Sequence, residues 1–259
     1  MRVRLHEESA TTAPMRGLFT IPVPAWEVVR QRKFIAHALG AALQSAAYYT
    51  PVFFLVSYAK SLGYTANDGA SFVAVSNACN AIGKVAIGFV ADRIGRVNTF
   101  LLMAFLSATV TLGLWVPSAI LGVHSVALGR HLYISFMVLY GLFAGTYVSL
   151  FPAVLVELFG MQQLPNSTSI MYMVQGMAAL VGTPVAGVLV GGPRSGKDSN
   201  DYTGMAVLVD TLLFGTTICV AWVRIDMMLS PTSEKRQHWK LLIYPLAEYV
   251  LLSCCDQAQ

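Results

Sequence analysis

Of 259 residues, 56% are hydrophobic and only 12% are charged. Soluble domains carry roughly 25% charged residues, so this composition excludes an ordinary water-soluble enzyme and makes lipid the expected solvent. The formal net charge of +4 does not mark a nucleic-acid binder, because the placement of the basic residues has a topological cause.

Residues 1–32 are polar, with Pro14, Pro22 and Pro24 among scattered Arg, and read as a cytoplasmic arm without an apolar stretch of the signal-peptide kind. Six long apolar segments follow, at about 34–59, 69–91, 98–120, 132–158, 168–191 and 203–224, each long enough to span a bilayer. The breaks between them are Gly63 to Asp68, Asp92 to Val97, Gly122 to Arg130, Gly160 to Ser167 and Gly192 to Tyr202. This pattern predicts an all-α membrane protein, with a six-helix transmembrane domain over 33–225 and a cytoplasmic tail over 226–259. The stretch Leu241 to Leu252 is too short to cross and is broken by Pro245. Basic residues set the orientation. One side holds Arg2, Arg4, Arg16, Arg30, Arg32, Lys33, Arg93, Arg96, Arg224, Lys235, Arg236 and Lys240; the other holds only Lys60, Arg130, Arg194 and Lys197. Both termini are therefore expected in the cytoplasm, and the plasma membrane is favoured over the vacuole.

Lys84 belongs to neither side. It lies eight residues before Asp92, about 12 Å along a helix, and so near the middle of a hydrocarbon core roughly 30 Å thick. Placing a cation there costs about 2.5–3.5 kcal/mol even on the lenient insertion scale, which makes it a functional site by default. On a helical wheel Asn77, Asn80, Lys84 and Gly88 share one face, and Ile82, Val85 and Phe89 the opposite one. Two explanations stand: Lys84 pairs with carbonyls or a carboxylate inside the protein, or it is a counter-ion for an anionic substrate. In the first helix His37, Ala41, Gln44 and Tyr48 share a face, and Tyr140, Ala144 and Tyr147 do so in the fourth; a Tyr hydroxyl in lipid must find a partner. Tyr48 is the better cavity candidate of these.

The connection Asp92-Arg93-Ile94-Gly95-Arg96 offers Gly95 for a tight turn, with Asn98 a suitable N-cap for the third helix. Gly141-x-x-x-Gly145 and Gly187-x-x-x-Gly191 mark close helix contacts, and Pro51, Pro152 and Pro184 mark kinks. Asp210 can pair with Lys84, carry a proton, or face a crevice in its protonated form. The string Gly191 to Asp198 nearly spells a phosphate loop, but it follows a membrane helix and has Asp198 where a magnesium-holding Ser or Thr is needed. Cys79, Cys219, Cys254 and Cys255 show no disulfide or zinc spacing. No metal, cofactor or nucleic acid is expected, and no catalytic constellation is found.

The string Gly88-Phe-Val-Ala-Asp92-Arg93-Ile-Gly95-Arg96 resembles the signature loop of the major facilitator superfamily, in its second-half copy. Tyr48-Tyr-Thr-Pro51, Asn77-Ala-x-Asn80-x-x-Gly83-Lys84-x-x-x-Gly88, Tyr140-Gly-x-x-x-Gly145 and Gly182-Thr-Pro184-Val-Ala-Gly187 are similar to its fungal monocarboxylate-transporter-like branch. The resemblance implies the C-terminal six-helix half of a twelve-helix fold, made of two inverted three-helix repeats. It implies a carrier for a small carboxylate, working by alternating access with or without a proton. Lys84 then takes the place of a substrate-contacting basic residue, with Asn80, Asn77, Tyr48 and Gln44 beside it, and Gly88, Asp92, Arg93, Gly95 and Arg96 form the conformational motif. Such a chain is a truncated half-transporter that needs a second six-helix half or a homodimer, or a non-transporting product that pairs with or regulates a full-length relative.

Overall fold

A computed structural model describes residues 29–190 and 198–229. The arm over 1–28, the segment 191–197 with most of the phosphate-loop-like string, and the tail beyond 229 lie outside the described residues, as do Gly191, Cys254 and Cys255.

Helix α1 (Arg32–Ser61) stops where Gly63 turns the chain at φ 79°. Helix α2 (Ala66–Ile94) starts on a capping box: the Thr65 hydroxyl accepts from the Asp68 amide, and the Asp68 carboxylate accepts from the Thr65 amide at 3.0 Å. Gly95, at φ 95°, ends α2, and α3 (Arg96–Val110) begins at once. The next turn, Thr111–Trp115, is a π-helix leading into α4 (Val116–Leu121). Pro117 explains it: its missing N–H leaves the Gly113 carbonyl without its normal partner, and the helix widens just before the ring. Helix α5 (Val126–Ala144) is capped by Ser125 and followed by α6 (Thr146–Leu189). A short 3-10 turn (Ser199–Tyr202) precedes α7 (Thr203–Leu229).

Among the described residues, five helical runs are long and apolar enough to cross a membrane: Arg32–Ser61, Ala66–Ile94, Arg96–Leu121, Val126–Leu189 and Ser199–Leu229. This differs from the six separate segments expected. The break foreseen over Gly160 to Ser167 shrinks to a single residue, Gly160, with φ 77° and ψ 167°. The chain folds back there. Phe151 and Tyr172 would lie about 32 Å apart on a straight helix, yet their rings are 5.6 Å apart. Only glycine adopts that backbone without strain, so one residue does the work of a loop.

Helix α1 is central, packed along α7, α6 and α2, while α2 lies against α5. Two cores result. Toward Gly63, Tyr58 meets Tyr133 and Tyr202 edge-on, each at 5.2 Å, beside Trp115 stacked on Phe136. Toward Gly95, Phe34, Phe100, Phe151, Leu155 and Met171 pack together. The first core carries hydroxyls; those of Tyr58, Tyr133 and Tyr202 are paired, as burial favours, while the Tyr140 hydroxyl has no partner among the described residues. Ser118 donates to the Gly129 carbonyl at 2.8 Å, so Tyr58 is the donor in its 2.8 Å bond to Ser118. Tyr133 donates to the Leu55 carbonyl at 2.8 Å.

Arg130, read from the sequence as a plain loop charge, closes this end. Its Nε donates to the Leu62 carbonyl at 3.0 Å and an Nη to the Gly63 carbonyl at 3.1 Å, and its guanidinium sits 4.7 Å from the Tyr64 ring centroid. It thus caps α1 from α5. Arg130→Met should lower stability by about 1–3 kcal/mol, because two carbonyls lose a charged donor; thermal unfolding in detergent micelles measures it, and an unchanged midpoint would refute the capping role.

Candidate functional site

The candidate site grows from an unusually bare helix. Within α2 only Gly69, Gly83, Ile87 and Ala91 are buried. It is held by backbone proximity rather than by large apolar side chains. A Cβ on Gly83 would land on the Leu142 carbonyl, one on Gly141 would sit 2.6 Å from the Ser76 carbonyl oxygen, and one on Gly145 would collide with the Asn80 amide. Small residues let the two backbones meet, as membrane helices need when lipid competes equally for apolar surface.

Asn80 is wedged at the end of this seam. Its Nδ2 donates to the Tyr48 hydroxyl at 3.1 Å, tying α2 to α1, while its enclosed Oδ1 has no partner among the described residues. Lys84 follows one turn later, half-buried, and forms no hydrogen bond or ion pair among the described residues. Of the two explanations for its charge, internal pairing is therefore absent there. Asn77 is exposed on the same flank. Ile82, Val85 and Phe89 are 65–70% exposed on the opposite flank.

The structure brings Tyr48, Asn80 and Lys84 onto neighbouring turns, while Gln44, one turn from Tyr48, is buried among other residues. Gln44 is 2% exposed, and its unpartnered Oε1 belongs to a side chain lining a separate cavity of about 10 Å³, with Phe100, Met103, Ser107 and Tyr147. That space suits about one water molecule. His37 stacks on Phe151 with ring centroids 5.4 Å apart. Tyr147 donates to the Ala41 carbonyl at 3.4 Å, and Tyr140 is buried against Phe136. Both Tyr belong to the core. Asp210 is 6% exposed on α7 and forms no ion pair with Lys84.

At the other end of α2, Gly88 has open space where a Cβ would stand. Asp92, Arg93 and Arg96 are exposed, with no partner among the described residues. Gly95 makes the turn as expected. Asn98 does not cap α3. The helix starts earlier, at Arg96, and the Asn98 amide donates back to the Ile94 carbonyl at 2.9 Å while Thr99 closes on Gly95. Nearby, Lys33 and Asp226 form an ion pair at 3.8 Å between α1 and α7.

Sequence reasoning missed Gln175. It sits in a stretch that reads as plainly apolar, yet its main-chain carbonyl accepts from the Ser45 hydroxyl at 3.0 Å and its side-chain Nε2 is buried without a partner among the described residues. A lone amide inside an apolar run was the available signal; Asn80, by contrast, stood out through the face it shares with Asn77 and Lys84.

Long apolar helices joined by tight turns define a multi-pass membrane protein. The pattern of the Major Facilitator Superfamily matches residues 38–245, so the chain belongs to that family of membrane transporters, which are not enzymes. It is 31% identical over 157 residues to an MFS-type transporter of Gibberella moniliformis, covering 61% of this chain and 36% of the relative. It is 30% identical over 183 residues to monocarboxylate transporter 11 of Homo sapiens (71% and 37%). It is 25% identical over 189 residues to a riboflavin transporter of Saccharomyces cerevisiae (72% and 34%). The chain thus spans little more than a third of each of these relatives.

The seam makes a sharp prediction. Gly83→Ala should destabilise the protein by about 1–3 kcal/mol, since the added methyl forces two backbones apart. Gly88→Ala, which meets nothing, should be neutral or stabilising by up to about 1 kcal/mol. Thermal unfolding of the two variants side by side distinguishes them, and equal midpoints would refute the seam.

Proposed function

We propose that this chain supplies a six-crossing half of a secondary transporter that moves a small organic anion by alternating access. In this reading the run Val126–Leu189 crosses twice, with Gly160 at the bend, and the six crossings form two inverted three-helix repeats. Both termini lie in the cytoplasm, of the plasma membrane by preference. The polar flank of α2 faces the solute path, and an opposing six-helix half completes the site.

Lys84 carries the reading. A cation inside a membrane helix, with no counter-charge among the described residues, is stabilised if an anion visits it. An ammonium attracts a carboxylate as a point charge, without the two-pronged geometry of Arg, so it suits a solute that must also leave. Asn80, fixed by Tyr48, and exposed Asn77 offer amides to the same anion. The carboxylate solute named for the human relative agrees with this chemistry.

Reconstitution into proteoliposomes tests it. Lys84→Ala should reduce uptake of a labelled short carboxylate about tenfold or more, equivalent to about 1.4 kcal/mol of lost interaction, and Lys84→Arg should retain most of it. Undiminished uptake by Lys84→Ala would overturn the assignment.

A further inference from the structure

The face of α1 beside the Lys84 flank carries rings that the core does not use. Tyr49 and Phe53 are 40% and 66% exposed, and their rings stack with centroids 6.3 Å apart. Tyr49 also meets Tyr48 edge-on at 5.2 Å. Because Tyr48 accepts from Asn80, the relative height of α1 and α2 is fixed. The two helices run antiparallel, since Gly69 of α2 packs on Val56 of α1 while Asn80 reaches back to Tyr48.

From the Tyr48–Asn80 level, helical rise sets Tyr49 about 1.5 Å and Phe53 about 7.5 Å toward the Gly63 end, and Lys84 about 6 Å the other way. Side-chain direction narrows that separation. Helical side chains lean toward the N-terminus of their own helix. In this antiparallel pair the rings of Tyr49 and Phe53 lean toward the Gly95 end, and the Lys84 stem leans toward the Gly63 end. They converge on one stretch of the open flank. Asn77, about 4.5 Å beyond Asn80, stands at the height of the rings.

We propose that this flank selects an aryl carboxylate over a short aliphatic one. The carboxylate meets the Lys84 ammonium, the flat ring stacks on the Tyr49–Phe53 shelf, and the Asn77 amide meets a polar ring substituent. Two adjoining aromatic faces give a planar solute offset-stacked contact that an aliphatic chain does not match. The inference rests on Lys84 as the anion contact and narrows the solute class served by it.

Binding to the full chain in lipid nanodiscs, with empty nanodiscs subtracted for partitioning, tests it with 2-naphthoate and propionate as probes. Naphthoate should bind at least about tenfold more tightly. Tyr49→Ala and Phe53→Ala, both at exposed positions, should remove most of that ratio and leave propionate unchanged, whereas Lys84→Gln should weaken both probes. A ratio that survives both ring variants would mean that the rings face acyl chains and would overturn the aryl preference alone, provided Lys84→Gln still weakens propionate. No saturable binding of either probe, or Lys84→Gln without effect on either, would overturn the anion site with it.

Discussion

The near-contact of two backbones, α2 and α5, underlies the arrangement of the polar flank. Gly83 lies over the Leu142 carbonyl, Gly141 lies by Ser76, and Gly145 leaves the space that the Asn80 amide fills. In lipid, apolar side chains gain nothing by leaving the solvent for each other, so helices associate through close packing and hydrogen bonds. A helix pinned along a narrow strip of glycines keeps the rest of its circumference free. That freedom lets α2 present amides and an ammonium on one side of the seam and bulky apolar groups on the other.

The two ends of the bundle are held by different chemistry. Toward Gly63, hydroxyls, a guanidinium and aromatic edges tie α1, α4, α5 and the 3-10 turn into a network with directed bonds. Toward Gly95, packing is mostly apolar, with rings and branched aliphatics around Phe34, Phe100 and Phe151. Directed bonds hold a geometry and lose energy sharply when bent, whereas apolar packing tolerates small repacking. The polar flank lies between these regimes, tied across helices by the Tyr48–Asn80 bond and, beside it, by Ser76 donating to the Met137 carbonyl at 3.4 Å.

Periodicity and length made the helical runs and most of their limits legible, because a membrane leaves few alternatives to helix. Lys84 stood out for the same reason: a charge in an apolar run has no ordinary explanation. Local signals failed where the answer lay across space. Nothing beside Gly160 tells that one glycine replaces a loop, since the fold-back is recorded in distant packing, such as Phe151 with Tyr172 and Leu155 with Met171 in one core. Gln44 and Tyr48 are one turn apart on the same predicted face, yet one lines a small cavity and the other bonds to α2, a division made by the neighbouring helices. Asn98 was misplaced because a good capping residue does not outweigh a positive-φ glycine that starts the helix earlier. Arg130 could not be recognised as a cap, because its acceptors are 67 and 68 residues away.

The hairpin at Gly160 also governs how α6 can move. With a single residue at the apex, there is no slack to let one limb slide lengthwise past the other. A one-residue apex holds the ends of the two limbs at adjoining levels, so a lengthwise shift of one limb carries the end of the other with it.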